Sequence, residues 1–181
     1  MLDGRPFPRL HDCRSSFVLL FRHRALVALA PAALLLSLSA APAYAGIEEA
    51  VKAMQAKDML TAEKELQLLV KERDPRAQFL LGFYVYGNPD SKLFDLNKAA
   101  PLLLDAAERG YTPAIIPLAG AYAEGRGVPK SFVEAYKWIL IAEHWNVPNA
   151  VQLLEQISGE LKPDEIEKAK AEARAFTFKT K

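Results

Sequence analysis

Cysteine is almost missing from this chain: there is one, Cys13. A disulfide framework is excluded, and a metal cluster built on several Cys ligands is excluded with it. Histidine is scarce as well, with His11, His23 and His144 as the full set. Neither sign of charge dominates, since 23 Lys and Arg face 22 Asp and Glu. No basic stripe marks a nucleic-acid surface, and none is expected as a partner. Past residue 45 the two-residue alternation of a half-buried strand is absent, and apolar residues recur at steps of three and four. What the chain does have is 51% hydrophobic residues among its 181, enough to bury a core in one medium domain.

Residues 1–45 read as a targeting segment. Arg22, His23 and Arg24 form a basic patch, and no charge appears from Ala25 to Ala45. Ala43-Tyr44-Ala45 supplies small residues around a cut, which makes Gly46 the expected mature N-terminus and the periplasm or the exterior the expected destination. The stretch before Arg22, with Pro6 and Pro8, is long for such a leader and suggests a translation start downstream of Met1, for instance at Val18. The alternative is an uncleaved inner-membrane anchor, against which Pro31, Pro42 and the cleavage pattern argue. Cleavage would remove five Arg and two Asp, leaving 18 basic and 20 acidic side chains, no thiol and no stable membrane span.

Helix punctuation fills the rest. Asp74-Pro75, Thr112-Pro113 and Lys162-Pro163 each put Pro near a first turn, where its missing N–H costs nothing, and Asp74 and Thr112 are competent N-caps. Gly110 and Asn146 follow Ala-rich runs, where a left-handed terminating residue is expected. The reading is a series of antiparallel helix pairs.

These pairs repeat. Ala77 recurs as Ala114 and Ala150, Leu81 as Leu118 and Leu154, Asp95 as Ser131, Ala99 as Ala135, Ala106 as Ala142 and Gly110 as Asn146, at a step of 36 or 37 residues. One such hairpin is too small to cover its own apolar face, so neighbours must stack into a shared core.

These residues resemble the Sel1-like repeats, relatives of the tetratricopeptide repeats. Ala114, Leu118, Tyr122, Gly125, Gly127, Val128, Ala135, Trp138 and Ala142 follow the family pattern in one unit. Ala77, Leu81, Gly82, Asp95, Ala99, Ala106, Ala107 and Gly110 follow it in the unit before. The resemblance implies an all-α solenoid of antiparallel hairpins. The expected division is a leader at 1–45, a tetratricopeptide-like hairpin at 46–73, repeats at 74–110 and 111–146, and a partial repeat with a charged capping helix at 147–181. In the first repeat Val85 stands where the family has Tyr, Asn88 and Asp90 where it has Gly, and Leu102 where it has Trp. One extra residue is assigned to its loop, and Pro101 and Pro117 are expected to kink or delay their helices.

The pattern also makes physical sense. Small residues at Ala77, Gly82, Ala99, Ala106, Ala114, Ala119 and Ala135 let paired helices approach closely. Leu81, Leu118, Tyr122 and Trp138 then fill the space between pairs, each contributing about 1.5–3 kcal/mol of burial. Gly125 and Gly127 allow a tight turn, and Asp95 and Ser131 can cap the second helix.

Chemistry-bearing groups are few beyond this. His144, beside Glu143, has no visible set of co-ligands and sits where a cation suits a helix C-terminus. The stretch from Gly125 to Ser131 resembles a phosphate-binding loop superficially. It lacks Gly before Lys130, and Pro129 removes a donor. Glu63, Glu65, Glu165, Glu167 and Glu172 alternate with Lys as on a solvated face. No catalytic residue, metal or cofactor is expected.

Aromatic residues are the better candidates. Phe79, Phe83, Tyr84 and Tyr86 crowd one helix, which cannot bury all of them on a narrow stripe, and Trp145 precedes a terminating residue. Phe79, Phe83, Tyr86, Arg126 and Trp145 are therefore the expected partner-binding residues. The resemblance implies a non-catalytic scaffold, adaptor or regulator that holds an envelope-associated protein on its concave face. A competing implication is an envelope enzyme acting on β-lactams or peptidoglycan, but the relatives so described carry paired Cys in every repeat, which this chain lacks.

Overall fold

The computed structural model describes residues 42–179, and every regular element among them is helical. Most of the expected leader lies outside the described residues. Helix α1 (Pro42–Gln55) spans the expected cleavage position and pairs with α2 (Met59–Lys71). Helix α3 (Pro75–Leu80) continues into a π-helical turn, Leu81–Tyr86, and both pack on α4 (Leu96–Glu108). A 3-10 turn, Thr112–Ala114, leads into α5 (Ile115–Glu124), which pairs with α6 (Phe132–His144). Helices α7 (Ala150–Ser158) and α8 (Pro163–Ala175) both pack against α6.

Side-chain caps set most of the starts. Asp58 accepts from the Thr61 N–H at 3.1 Å, Asp74 from Arg76 at 2.8 Å, Asp95 from Asn97 at 3.0 Å and Ser131 from Glu134 at 3.2 Å. Each satisfies a donor that the first helical turn leaves unpaired. Thr112 does not cap as expected: it lies inside the 3-10 turn, where its backbone carbonyl accepts from the Ile115 N–H and its side chain caps nothing. That turn delays α5 so that Pro117 falls in its first turn, while α4 runs unbroken through Pro101. The ends are left-handed at Gly110 (φ 82°), Gly125 (φ 73°) and Asn146 (φ 53°).

The apolar interior forms two clusters. One joins α1, α2, α3, the π turn and α4 through Ala50, Ala62, Leu66, Leu81 and Val85; the other joins α4 to α8 through Leu103, Ile115, Leu118, Trp138 and Ile141. Ala77, Leu81, Ala99, Ala106, Ala114, Leu118, Ala135, Trp138 and Ala142 are each no more than 2% exposed, while Tyr122 is half-buried. Gly82 is buried where helices touch: a Cβ there would lie 3.0 Å from the Ala99 carbonyl oxygen.

The position of the extra residue corrects the sequence reading. The Asp95 N–H bonds to the Tyr86 carbonyl at 2.9 Å, just as the Ser131 N–H bonds to the Tyr122 carbonyl at 2.8 Å. Tyr86, not Val85, is thus the counterpart of Tyr122, and the loops that follow are equal in length. The addition lies within the helix, where widening to a π turn absorbs one residue without shifting what comes before or after. Phe83 and Tyr84 together occupy the place that Gly120 fills alone in α5.

Candidate functional site

The π turn exposes an aromatic cluster. Phe79 stacks on Phe83 with centroids 5.4 Å apart and an interplanar angle of 10°, and Tyr84 meets Phe83 edge-on at 5.0 Å. Phe79 also contacts Tyr84 at 5.9 Å and Tyr111 at 5.3 Å. The inner rings are half-buried, whereas Phe83 is 40% exposed and Tyr84 46%. Rings held against other rings lose little freedom when a partner covers them, which favours such clusters as binding anchors.

Arg126 belongs to this neighbourhood. It is exposed in the turn after α5, ion-paired to Glu124 at 2.8 Å, and borders the same small cleft of about 60 Å³ as Phe83. The turn is held close to the preceding hairpin by Gly127, whose φ is 72°; a Cβ there would lie 2.0 Å from the Leu96 carbonyl oxygen. The turn therefore needs Gly at 127 for that contact, which is how Arg126 reaches Phe83's side of the molecule.

Tyr86 does not belong to the exposed set. It is 5% exposed, and its hydroxyl donates to Glu63 at 2.5 Å on α2. Burial and that carboxylate both push its phenol above the ordinary value. The π turn explains the correction: the added residue rotates Tyr86 to the inward position that Tyr122 holds in the next unit. Tyr84, in turn, is the exposed ring missing from the expected set. Its signal was the equal nine-residue spacing from Tyr86 to Asp95 and from Tyr122 to Ser131.

Trp145 lies apart, 52% exposed after α6. His144 packs edge-on against it at 5.9 Å, and Phe178 at 5.3 Å. Among the described residues no group of three or more His, Cys, Asp or Glu is placed to hold a metal ion, and no helix is long and apolar enough to cross a membrane.

No protein-family model matches the chain, and no curated protein matches it. Among solved structures, the crystal structure of c5321, a protective antigen present in uropathogenic Escherichia coli strains and displaying an SLR fold, is similar with a TM-score of 0.67. The chain has the Sel1-like repeat fold. Identity over the match is 20%, and it covers 74% of this chain and 29% of c5321, so the present chain spans less than a third of that protein. At this identity the likeness is one of fold. The Sel1-like arrangement accounts for the close-contact roles of Gly82 and Gly127 and for the buried Trp138.

Proposed function

We propose that this Sel1-like chain is a non-catalytic protein-binding module, a scaffold, adaptor or regulator in the bacterial periplasm or outside the cell, reached after cleavage between Ala45 and Gly46. The observation that carries the reading is the pair Phe83 and Tyr84, two large rings left in solvent on a rigid aromatic base. Contiguous exposed aromatic surface favours association, and a few such rings usually supply most of the binding energy. Arg126 at the edge of the same cleft adds a donor-rich cation of the kind enriched in such surfaces.

The test is affinity capture of an envelope partner by the secreted protein, comparing wild type with Phe83→Ala and Tyr84→Ala. Each substitution is expected to weaken recovery of an identified partner at least about tenfold, the effect of losing one hot-spot residue. Recovery unchanged by both would overturn the assignment of this surface. N-terminal sequencing of the exported protein should begin at Gly46.

A further inference from the structure

The segment after α8 is not helical, yet it is held. Phe176 meets the buried Trp138 at 5.2 Å, and Phe178 meets both Phe176 at 5.2 Å and the exposed Trp145 at 5.3 Å. Phe178 also lies over Gly110, where a Cβ would come within 3.6 Å of its ring. One residue on, the Lys179 N–H donates to the Glu108 carbonyl at 2.7 Å, and the Lys179 ammonium pairs with the Glu108 carboxylate. That carbonyl belongs to the last turn of α4, where helices leave acceptors unpaired.

An extended strand with alternate rings pointing inward and a cation at its end is thus accommodated across the ends of α4 and α6. The hold is uneven along its length. Phe176 is anchored on a core residue, but beyond it the segment depends on one half-buried ring, one backbone bond and one surface ion pair. A cleft of about 540 Å³ remains open beside it, bordered by Leu140, His144 and Arg174. A segment gripped so lightly at its far end, beside unfilled space, can be exchanged for another of the same chemistry.

We propose that residues 176–179 act as a resident plug in a peptide-docking groove, and that the partner displaces them with its own extended aromatic-x-aromatic-Lys segment. This rests on the protein-binding reading above and names the chemistry of the segment bound. It also places the second exposed aromatic, Trp145, in use: it would form the groove wall that the incoming ring covers.

The probe is a synthetic peptide of residues 175–181, Ala-Phe-Thr-Phe-Lys-Thr-Lys, titrated into the full secreted chain with Trp fluorescence and calorimetry as readouts. Wild type, whose groove is filled, should bind it at least about tenfold more weakly than Phe178→Ser. Lys179→Ala, which alters one exposed side chain and leaves the rings in place, should give a smaller gain in the same direction. Adding Glu108→Gln to Phe178→Ser should reverse the gain. Equal binding by wild type and both variants, or no binding by either folded variant, would overturn the plug. A partner captured through Phe83 and Tyr84 that the peptide does not displace from Lys179→Ala would also overturn it while leaving the function standing. Peptide binding without any captured partner would keep the groove and overturn the function.

Discussion

The hairpins α3–α4 and α5–α6 follow one plan and differ by a single residue. In α5, Leu118 and Tyr122 are separated by one ordinary turn containing Gly120; in the preceding hairpin, Leu81 and Tyr86 are separated by one residue more, and the helix widens into a π turn. Everything downstream returns to register, as the paired bonds Asp95 to Tyr86 and Ser131 to Tyr122 demonstrate. The surplus appears at the surface, as Phe83 and Tyr84 in place of a glycine. A helix that must conserve two core contacts can thus gain an exposed feature by bulging, which fits the tendency of π turns to coincide with functional positions.

Large side chains give the strongest way to test the comparison. Trp138 is 2% exposed and contacts both Lys137 and Phe176, whereas its counterpart Leu102 is half-buried. Trp138→Ala should lower stability by about 3–5 kcal/mol and Leu102→Ala by no more than about 2 kcal/mol in urea unfolding. Equal losses would mean that the hairpins do not differ in how they pack.

Close approach is next. Gly127→Ala forces a left-handed Ala whose Cβ collides with the Leu96 carbonyl, so a loss of about 3 kcal/mol is expected. Ser91, which the equal loop lengths put in Gly127's place instead of Asp90, should lose only about 1 kcal/mol on change to Ala, the worth of the bond its hydroxyl accepts from the Leu93 N–H, measured in the same way.

A smaller effect separates the two tyrosines. Tyr86→Phe leaves Glu63 without its short bond and should cost about 1.5 kcal/mol, while Tyr122→Phe should stay within about 0.5 kcal/mol.

Least in size is the response to acid. Asp74 and Asp105 both serve the α3–α4 hairpin; burial alone raises their carboxyls, but Arg76 on the former, and Arg109 with Gln78 on the latter, hold them below the ordinary 3.8. Their contribution is fully present above that value and is lost as pH falls through the lowered folded values. Urea midpoints at pH 7 and pH 3 should therefore diverge, and Asp105→Asn should narrow the gap.

Much of this was legible from residue spacing. The repeat of Ala, Leu and Gly at 36 or 37 residues implies stacked hairpins, because small residues at fixed positions serve close helix contact and left-handed helix ends. The location of the extra residue was not recovered, since a count of residues between two landmarks does not say whether a loop or a helix absorbs the surplus. Crowding of four aromatics on one helix points to Tyr86 as an exposed ring, whereas its hydrogen bond to Glu63 accompanies a buried one. The segment from Phe176 to Lys179 was also missed, because its partners, Glu108, Gly110 and Trp145, come together through stacking of distant hairpins and leave no local pattern.

Removing Tyr84 outright tests the central claim most directly, since the shortened helix, Leu-Gly-Phe-Val-Tyr, would match the spacing of α5. The account predicts an unchanged far-UV circular dichroism spectrum, a thermal midpoint at or above that of wild type, and loss of partner capture. A collapsed helical signal, or capture undiminished in a folded deletion protein, would contradict it.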